Sequence, residues 1–511
     1  LGNVNVSNSI FNIGGTACDG RQDSRRRTGY WHETAKVQSA NATRITTTAV
    51  AAALFVLLGS SGRARADGAL PLSQGILLPA DRAQEIVLAT NIGLMLSEDG
   101  GATWLWTCEQ QGATTGGYLY SVGPAPRDRF YALSPDQGLS YSDDGSCNWH
   151  RAGGALSANI ASDYFVDPSN GDRVLAVAAT RDDAGNVNPP AVYASADAGA
   201  TFGDTPLWSA PQQGNIVGVE IARSDGNRVY LATYTITEGT VGVHPALITS
   251  TDGGQTWTSR DVTAALGTNQ FRILAVDSAN PDVLYLRVIA SGMEQVAVTR
   301  DAGATFTTSL TVSGGTLSAF ARLTSGTVLV GGLIMLSGGG TSGVAYRSAD
   351  GGASFQPWDV NPSVAVNMKH LLGLGERGGV VYLAGKNVSD PWTLASSTDD
   401  GTTTHVLMTG YDQVSGIKPC AQQSCAGACL SQEMINPVFS ADVCSGPADG
   451  GGGGSAGGGS PGGGGCHCVV SPEGRGGGRR GAVAVALTLA LLGAAALAAR
   501  RGARRGARRR A

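Results

Sequence analysis

Seven copies of one eight-residue motif run through this chain, and their spacing constrains the fold more than any other feature. They are Ser97–Trp104 (SEDGGATW), Ser142–Trp149 (SDDGSCNW), Ser195–Phe202 (SADAGATF), Ser250–Trp257 (STDGGQTW), Thr299–Phe306 (TRDAGATF), Ser348–Phe355 (SADGGASF) and Ser397–Thr404 (STDDGTTT). Their first residues lie 45, 53, 55, 49, 49 and 49 positions apart. A period near 50 with one hairpin signature per unit points to a β-propeller.

A second repeat supports the first. Before each motif lie two apolar, β-branched runs around a polar turn, as in Val219–Ala232 (VEIARSDGNRVYLA) and Ile273–Leu286 (ILAVDSANPDVLYL). Each reads as strand, turn, strand. The unit is therefore strands A and B, a connection, strand C, the motif as the C–D turn, then strand D. The sequence predicts an all-β, seven-bladed β-propeller with four-stranded antiparallel blades over residues 67–411. No spare strand is evident, so each blade is expected to be contiguous in sequence.

Turn chemistry explains the motif. The carboxylates of Asp99, Asp144, Asp197, Asp252, Asp301, Asp350 and Asp399 are placed to accept bonds from turn N–H groups. Gly permits a positive φ, and the final aromatic residue packs into the blade. The second copy has Ser146 and Asn148 in place of Gly and Thr, and the seventh has Thr404 in place of an aromatic, so the last blade should be the loosest. The motif resembles the Asp box, or BNR repeat, of sialidases, sortilin-type receptors, some xyloglucan-active hydrolases and photosystem assembly factors. That resemblance implies that the seven Asp residues are fold devices on the face away from any ligand.

Outside the repeats the chain divides by composition. The expected segments are 1–66 (upstream segment and signal peptide), 412–446 (a Cys-rich cap), 447–465 (a Gly-rich linker) and 466–511 (Cys motif, transmembrane helix and Arg tail). Residues 44–66 carry a basic start, a short apolar core and Ala64-Arg65-Ala66, which fits signal cleavage before Asp67. No Met precedes Met95, so translation is expected to start at a non-AUG codon, with Val37 a candidate. Gly481–Ala499 is a 19-residue run without charge, followed by seven Arg between Arg500 and Arg510; it approaches the length of a bilayer span with a cytoplasmic tail. With Cys466 and Cys468 before it, the end resembles the MYXO-CTERM sorting signal of myxobacterial surface proteins. The resemblance implies processing near those cysteines. The expected address is the cell surface or outer membrane of a Gram-negative bacterium, with the membrane met through the C-terminal helix.

Export bears on the cysteines. Cys108, Cys147, Cys420, Cys425, Cys429 and Cys444 lie between the two signals, and an even set in an exported chain suggests disulfides. Cys108–Cys147 is the preferred pair across adjacent blades. The other four are expected to form one compact cluster of open connectivity.

Charge narrows the partner. Residues 67–465 hold 18 Lys and Arg against 36 Asp and Glu. Such an acidic body argues against nucleic acid. Catalytic signatures are weak. The nearest match to the sialidase Phe/Tyr-Arg-Ile-Pro motif is Phe271-Arg272-Ile273-Leu274, which lacks the Pro and falls between the fourth and fifth repeats. His150, His244, His370 and His405 show no metal-ligand spacing, and no GxSxG elbow or phosphate loop occurs. No cofactor or metal is expected. Long B–C connections are predicted in blade 3 (Arg181–Pro190), blade 4 (Ile236–His244) and blade 6 (Leu336–Gly343), all emerging on one face, which makes Asp182, Asp183, Glu238 and His244 ligand-face candidates. The expected function is a non-enzymatic binding or scaffold module for an extracellular glycan or protein. The alternative is an extracellular glycan-active hydrolase, which needs only two carboxylates at the right separation.

Overall fold

The computed structural model describes residues 73–108, 119–134, 137–157, 160–180, 187–237, 242–337, 340–360, 370–386, 390–435, 439 and 443–445. Seven four-stranded antiparallel sheets follow one another along them: Ser73–Cys108, Leu119–Arg151, Ile160–Ser209, Gly214–Asp261, Gln270–Ser313, Gly315–Pro357 and Gly373–Met408. We number them blades 1 to 7 and letter the strands A to D from the innermost outward. Strand A of one blade packs against strand A of the next around most of the ring, strand A of blade 3 packs against strands B and C of blade 2, and blade 7 meets blade 1, so the ring closes.

Each sheet is sandwiched between two others, which decides which residues can form its strands. Strand B of blade 3, Val174–Ala179, is buried up to its last residue, and its side chains feed two apolar clusters, one on each side of the sheet. A run apolar on both faces is what such a position requires. Strand D is the rim, and in blade 4 (Thr258–Asp261) it is exposed throughout. In blades 1, 3, 4, 5 and 6 strand A slips by one residue against strand B, at Ser73/Gly75, Ala161/Asp163, Ile216/Gly218, Ile273/Ala275 and Leu317/Ala319. A bulge there raises the local twist where the strands crowd together.

One strand lies outside the expected pattern. The four strands of every blade are contiguous, but Val414–Ile417 adds a fifth strand, parallel to Trp104–Cys108 on the outer edge of blade 1. Lys418 N–H donates to the Trp106 carbonyl at 2.9 Å and the Ser415 hydroxyl to the Trp104 carbonyl at 3.0 Å. Four residues containing a Gly carry no alternation by which a sequence reading could find them.

The disulfides also correct the sequence reading. Cys108 and Cys147 do not pair with each other. Cys108 bonds Cys425, Cys147 bonds Cys420, and Cys429 bonds Cys444, with Cα separations of 5.4, 5.5 and 5.5 Å. The four C-terminal cysteines are thus divided among three bridges rather than paired among themselves, and Cys425, Cys429 and Cys444 share one apolar cluster with Cys108. Cys425 and Cys429 sit one helical turn apart in the helix Gln422–Ile435, so both face blade 1, and both are fully buried.

A ring of arginines joins the blades. Arg82 donates to the Asp128 carbonyl (3.2 Å), Arg129 to Ala198 (2.7 Å), Arg173 to Gly253 (3.0 Å), Arg300 to Gly351 (2.9 Å) and Arg347 to Asp400 (3.2 Å). Arg228 meets the Asp282 carboxylate at 2.8 Å. Arg377 completes the circuit, reaching from blade 7 to the carbonyls of Pro79, Arg82, Ala83 and Glu85 of blade 1 at 2.6 to 3.2 Å. In every case one blade reaches the next on the face that carries the A–B and C–D turns.

Candidate functional site

The recurring turn is saturated by its own bonds. In the first copy the Ser97 hydroxyl donates to Asp99 Oδ1 at 2.8 Å and accepts the Gly101 N–H at 2.7 Å. Thr103 N–H donates to Oδ1 at 2.8 Å, and the Thr103 hydroxyl to Oδ2 at 2.6 Å. The irregular second copy keeps the pattern: Asn148 Nδ2 replaces the hydroxyl at 2.7 Å, and Ser146 adopts a φ of 73°. The carboxyls of Asp99, Asp252 and Asp301 are pulled down to about 2, first by the neighbouring threonine hydroxyl and then by its N–H. A carboxylate whose two oxygens are both engaged by its own turn is a poor proton carrier.

The seventh copy solves its missing aromatic by borrowing one. Trp104 and Trp257 donate Nε1–H to the carbonyl of their own turn glycine, Gly101 at 3.2 Å and Gly254 at 3.0 Å. In blade 7 the equivalent carbonyl, Gly401, accepts Nε1–H of Trp358 from blade 6 at 2.9 Å. Thr404 is itself buried behind it.

The opposite face carries the B–C connections and the links from each strand D to the next strand A. Its surface is different in kind. Four large hydrophobic side chains are exposed among the described residues: Val187 at 55%, Ile236 at 52%, Met335 at 69% and Leu336 at 48%. Val187, Ile236 and Leu336 lie in the B–C connections of blades 3, 4 and 6, and Met335 ends strand B of blade 6. Sequence reading pointed to these connections but to their polar residues. Asp182, Asp183 and Glu238 lie outside the described residues. His244 opens strand C of blade 4, half-buried. The overlooked signal was aliphatic residues where a solvent-facing loop has no use for them.

A second feature lies on this face, where blade 6 meets blade 7. His370, which carries no metal-ligand spacing in the sequence, precedes strand A of blade 7 and is buried. Its Nδ1 lies 3.0 Å from Asp390 Oδ1 and its Nε2 3.3 Å from the Thr341 hydroxyl. Asp390 also accepts the Lys386 N–H at 2.7 Å. The series fastens three connections together. Beside it is a cavity of about 380 Å³ lined by Tyr346, Trp358, Asp359, His370 and Leu371, among others. Among the described residues no three His, Cys, Asp or Glu side chains are grouped to hold a metal ion. Arg272 stands in strand A of blade 5 and donates to the Val217 carbonyl at 2.6 Å, an inter-blade contact. Cys466, Cys468 and the apolar run Gly481–Ala499 lie outside the described residues, among which no helix is long and apolar enough to cross a membrane.

No protein-family model matches the chain, and no curated protein does. Solved structures of several kinds resemble it. A GH74 xyloglucanase from Xanthomonas campestris is 14% identical over 65% of this chain and 72% of its own, with a TM-score of 0.34. YCF48 bound to D1 peptide is 17% identical over 62% of this chain and 92% of its own, with a TM-score of 0.39. A puromycin-hydrolyzing peptidase of Mycobacterium tuberculosis is 14% identical over 70% of this chain but only 56% of its own, with a TM-score of 0.47.

Proposed function

We propose that this propeller is a non-enzymatic binding module, displayed outside the cell, that engages its ligand with the B–C face. One observation carries the reading: the exposed large hydrophobics of the described residues all stand on or beside the B–C connections of that face. The other face is occupied with holding the ring together, through the saturated turns and the arginine bridges. A rigid scaffold with one committed face leaves the other for recognition. The three disulfides support an oxidising address. We place the repeats with the Asp-box type and the C-terminal end with the MYXO-CTERM type of sorting signal.

The purified protein incubated with a glycan panel tests this. Saturable retention without product agrees with a binding module. Release of shortened products would make it a glycan-active hydrolase instead.

A further inference from the structure

Three bridges join the six cysteines of the described residues, and one of the six stands open to solvent. Cys420 is exposed, on the short turn Pro419–Ala421 that follows the fifth strand of blade 1. Its partner Cys147 is 6% exposed, as is Cys108, and Cys425 and Cys429 are fully buried. Cys444 is partly buried against the apolar cluster that holds Cys108, Cys425 and Cys429. Thiol–disulfide exchange requires an incoming thiolate to reach one sulfur of the bond it breaks, so access ranks the three bridges.

The accessible bridge holds the least regular of the seven turns. At the fifth position of the motif every other copy has glycine, and the second has Ser146 at a φ of 73°. That backbone costs a serine what it does not cost a glycine. The strand D that follows is only His150–Arg151, both exposed. Besides the bridge, the Cys147 N–H donates to the Asp144 carboxylate at 3.0 Å, and the Ser146 and Thr107 hydroxyls meet at 2.9 Å. The C-terminal segment has more holds than this. Val414–Ile417 pairs with blade 1, Cys425 is bonded to Cys108, and Lys418 Nζ lies 3.1 Å from the Glu98 carboxylate and 3.2 Å from the Gly145 carbonyl. Opening Cys147–Cys420 therefore relaxes the blade 2 turn and leaves the segment seated on blade 1.

We infer that Cys147–Cys420 is a thiol-exchange site, opened by a dithiol reductant that attacks Cys420 while the other two bridges stay closed. A thiolate of the reductant bonds to Cys420 Sγ, the bond to Cys147 Sγ breaks, and Cys147 leaves with the electron pair. The second thiol of the reductant then attacks the mixed disulfide and releases Cys420. Two electrons pass from the dithiol to the bridge, the two protons of the dithiol end on Cys147 and Cys420, and the reductant ends as a disulfide. The product has a freer turn in blade 2 and an unchanged anchorage on blade 1. This reversible change of state is separate from ligand binding on the B–C face.

Graded dithiothreitol without denaturant, a quench with N-ethylmaleimide and peptide mapping by mass spectrometry test this on the purified protein. Cys147 and Cys420 should be labelled about tenfold faster, or more, than the other four, with tryptophan fluorescence unchanged. Labelling of all six together, labelling of Cys429 and Cys444 at the same rate or earlier, or no labelling short of unfolding would overturn the assignment. Glutathione in place of the dithiol should leave its adduct on Cys420 and a free thiol on Cys147; the opposite placement would sink the access argument. Hydrogen exchange gives the structural readout. The amides of Ser146, Cys147 and Asn148 should lose protection on reduction while that of Lys418 keeps it, and loss at Lys418 as well would mean that the whole segment comes away. The paired variant, Cys147→Ala with Cys420→Ala, should consume no dithiol at concentrations that reduce the parent, and equal consumption would refute the site.

Discussion

Removing the two bridges that tie the C-terminal segment to blades 1 and 2 should give losses larger than additive. Cys108–Cys425 spans 317 residues and Cys147–Cys420 spans 273. On the chain-entropy account, either bridge by itself restricts the unfolded chain by about 5.6 kcal/mol. Once one is closed, the other closes only a short circuit, from residue 108 to 147 and back from 420 to 425, roughly 45 residues. The same relation assigns that circuit about 4 kcal/mol. Replacing one pair, as Cys108→Ala with Cys425→Ala, should therefore cost about 4 kcal/mol, and replacing both pairs about 9.5 kcal/mol, more than twice the single loss. Equilibrium unfolding in guanidinium chloride, with the slope compared between variants, measures this. Strictly additive losses would refute the reasoning, because additivity is what separate bridges such as Cys108–Cys147 would produce.

Other outcomes follow from single side chains. Burial pushes the Asp163 carboxyl up to about 6, against the Val219 N–H and the charge of Arg272. Folded Asp163 therefore keeps a proton that the unfolded chain has released, and its contribution, present below about pH 4, is lost as pH rises through about 6. Asp163→Asn should flatten the stability profile over that window and add up to about 3 kcal/mol at neutral pH; urea midpoints with an unchanged slope would count against it. Arg377→Met leaves four carbonyls at the blade 7–blade 1 seam without their cation and should cost about 3–4 kcal/mol, whereas Arg300→Met, one exposed bond, should cost less than about 1 kcal/mol. Equal losses in thermal unfolding would show that the seam is nothing special. Trp358→Phe removes the bond to Gly401 while keeping a ring in place, and should cost about 1 kcal/mol; a neutral result would mean that blade 7 does not depend on the borrowed indole.

Blade number and strand order were legible because they are periodic: a Ser/Thr-x-Asp turn every fifty or so residues announces a hairpin regardless of what surrounds it. The loss of periodicity marks where reading stopped. Val414–Ile417 is too short for a pattern, and a parallel partner more than three hundred residues away leaves no local trace. Cysteine pairing failed for a related reason. Cys108 and Cys147 are near each other in sequence, but the returning C-terminal segment lies against blade 1 and offers each a nearer sulfur. His370 and Asp390 are twenty residues apart, with a spacing that means nothing until strands A and B of blade 7 bring their ends together. The B–C connections were found from their length. Their exposed aliphatic residues were missed because charged residues were assumed to mark a binding loop.

The fifth strand and its bridges also determine where the molecule would bear a load. A pull applied beyond residue 445 enters at Cys444, crosses to Cys429, passes through the helix to Cys425, and jumps to Cys108. A pull applied before residue 73 enters at the start of blade 1. Along the covalent bonds the tension thus runs through blade 1 and a few residues of the helix, and blades 2 to 7 hang beside it as a slack loop. A tether at either end could be dragged by flow or by a moving surface while the B–C connections of blades 3 to 6 kept their shape.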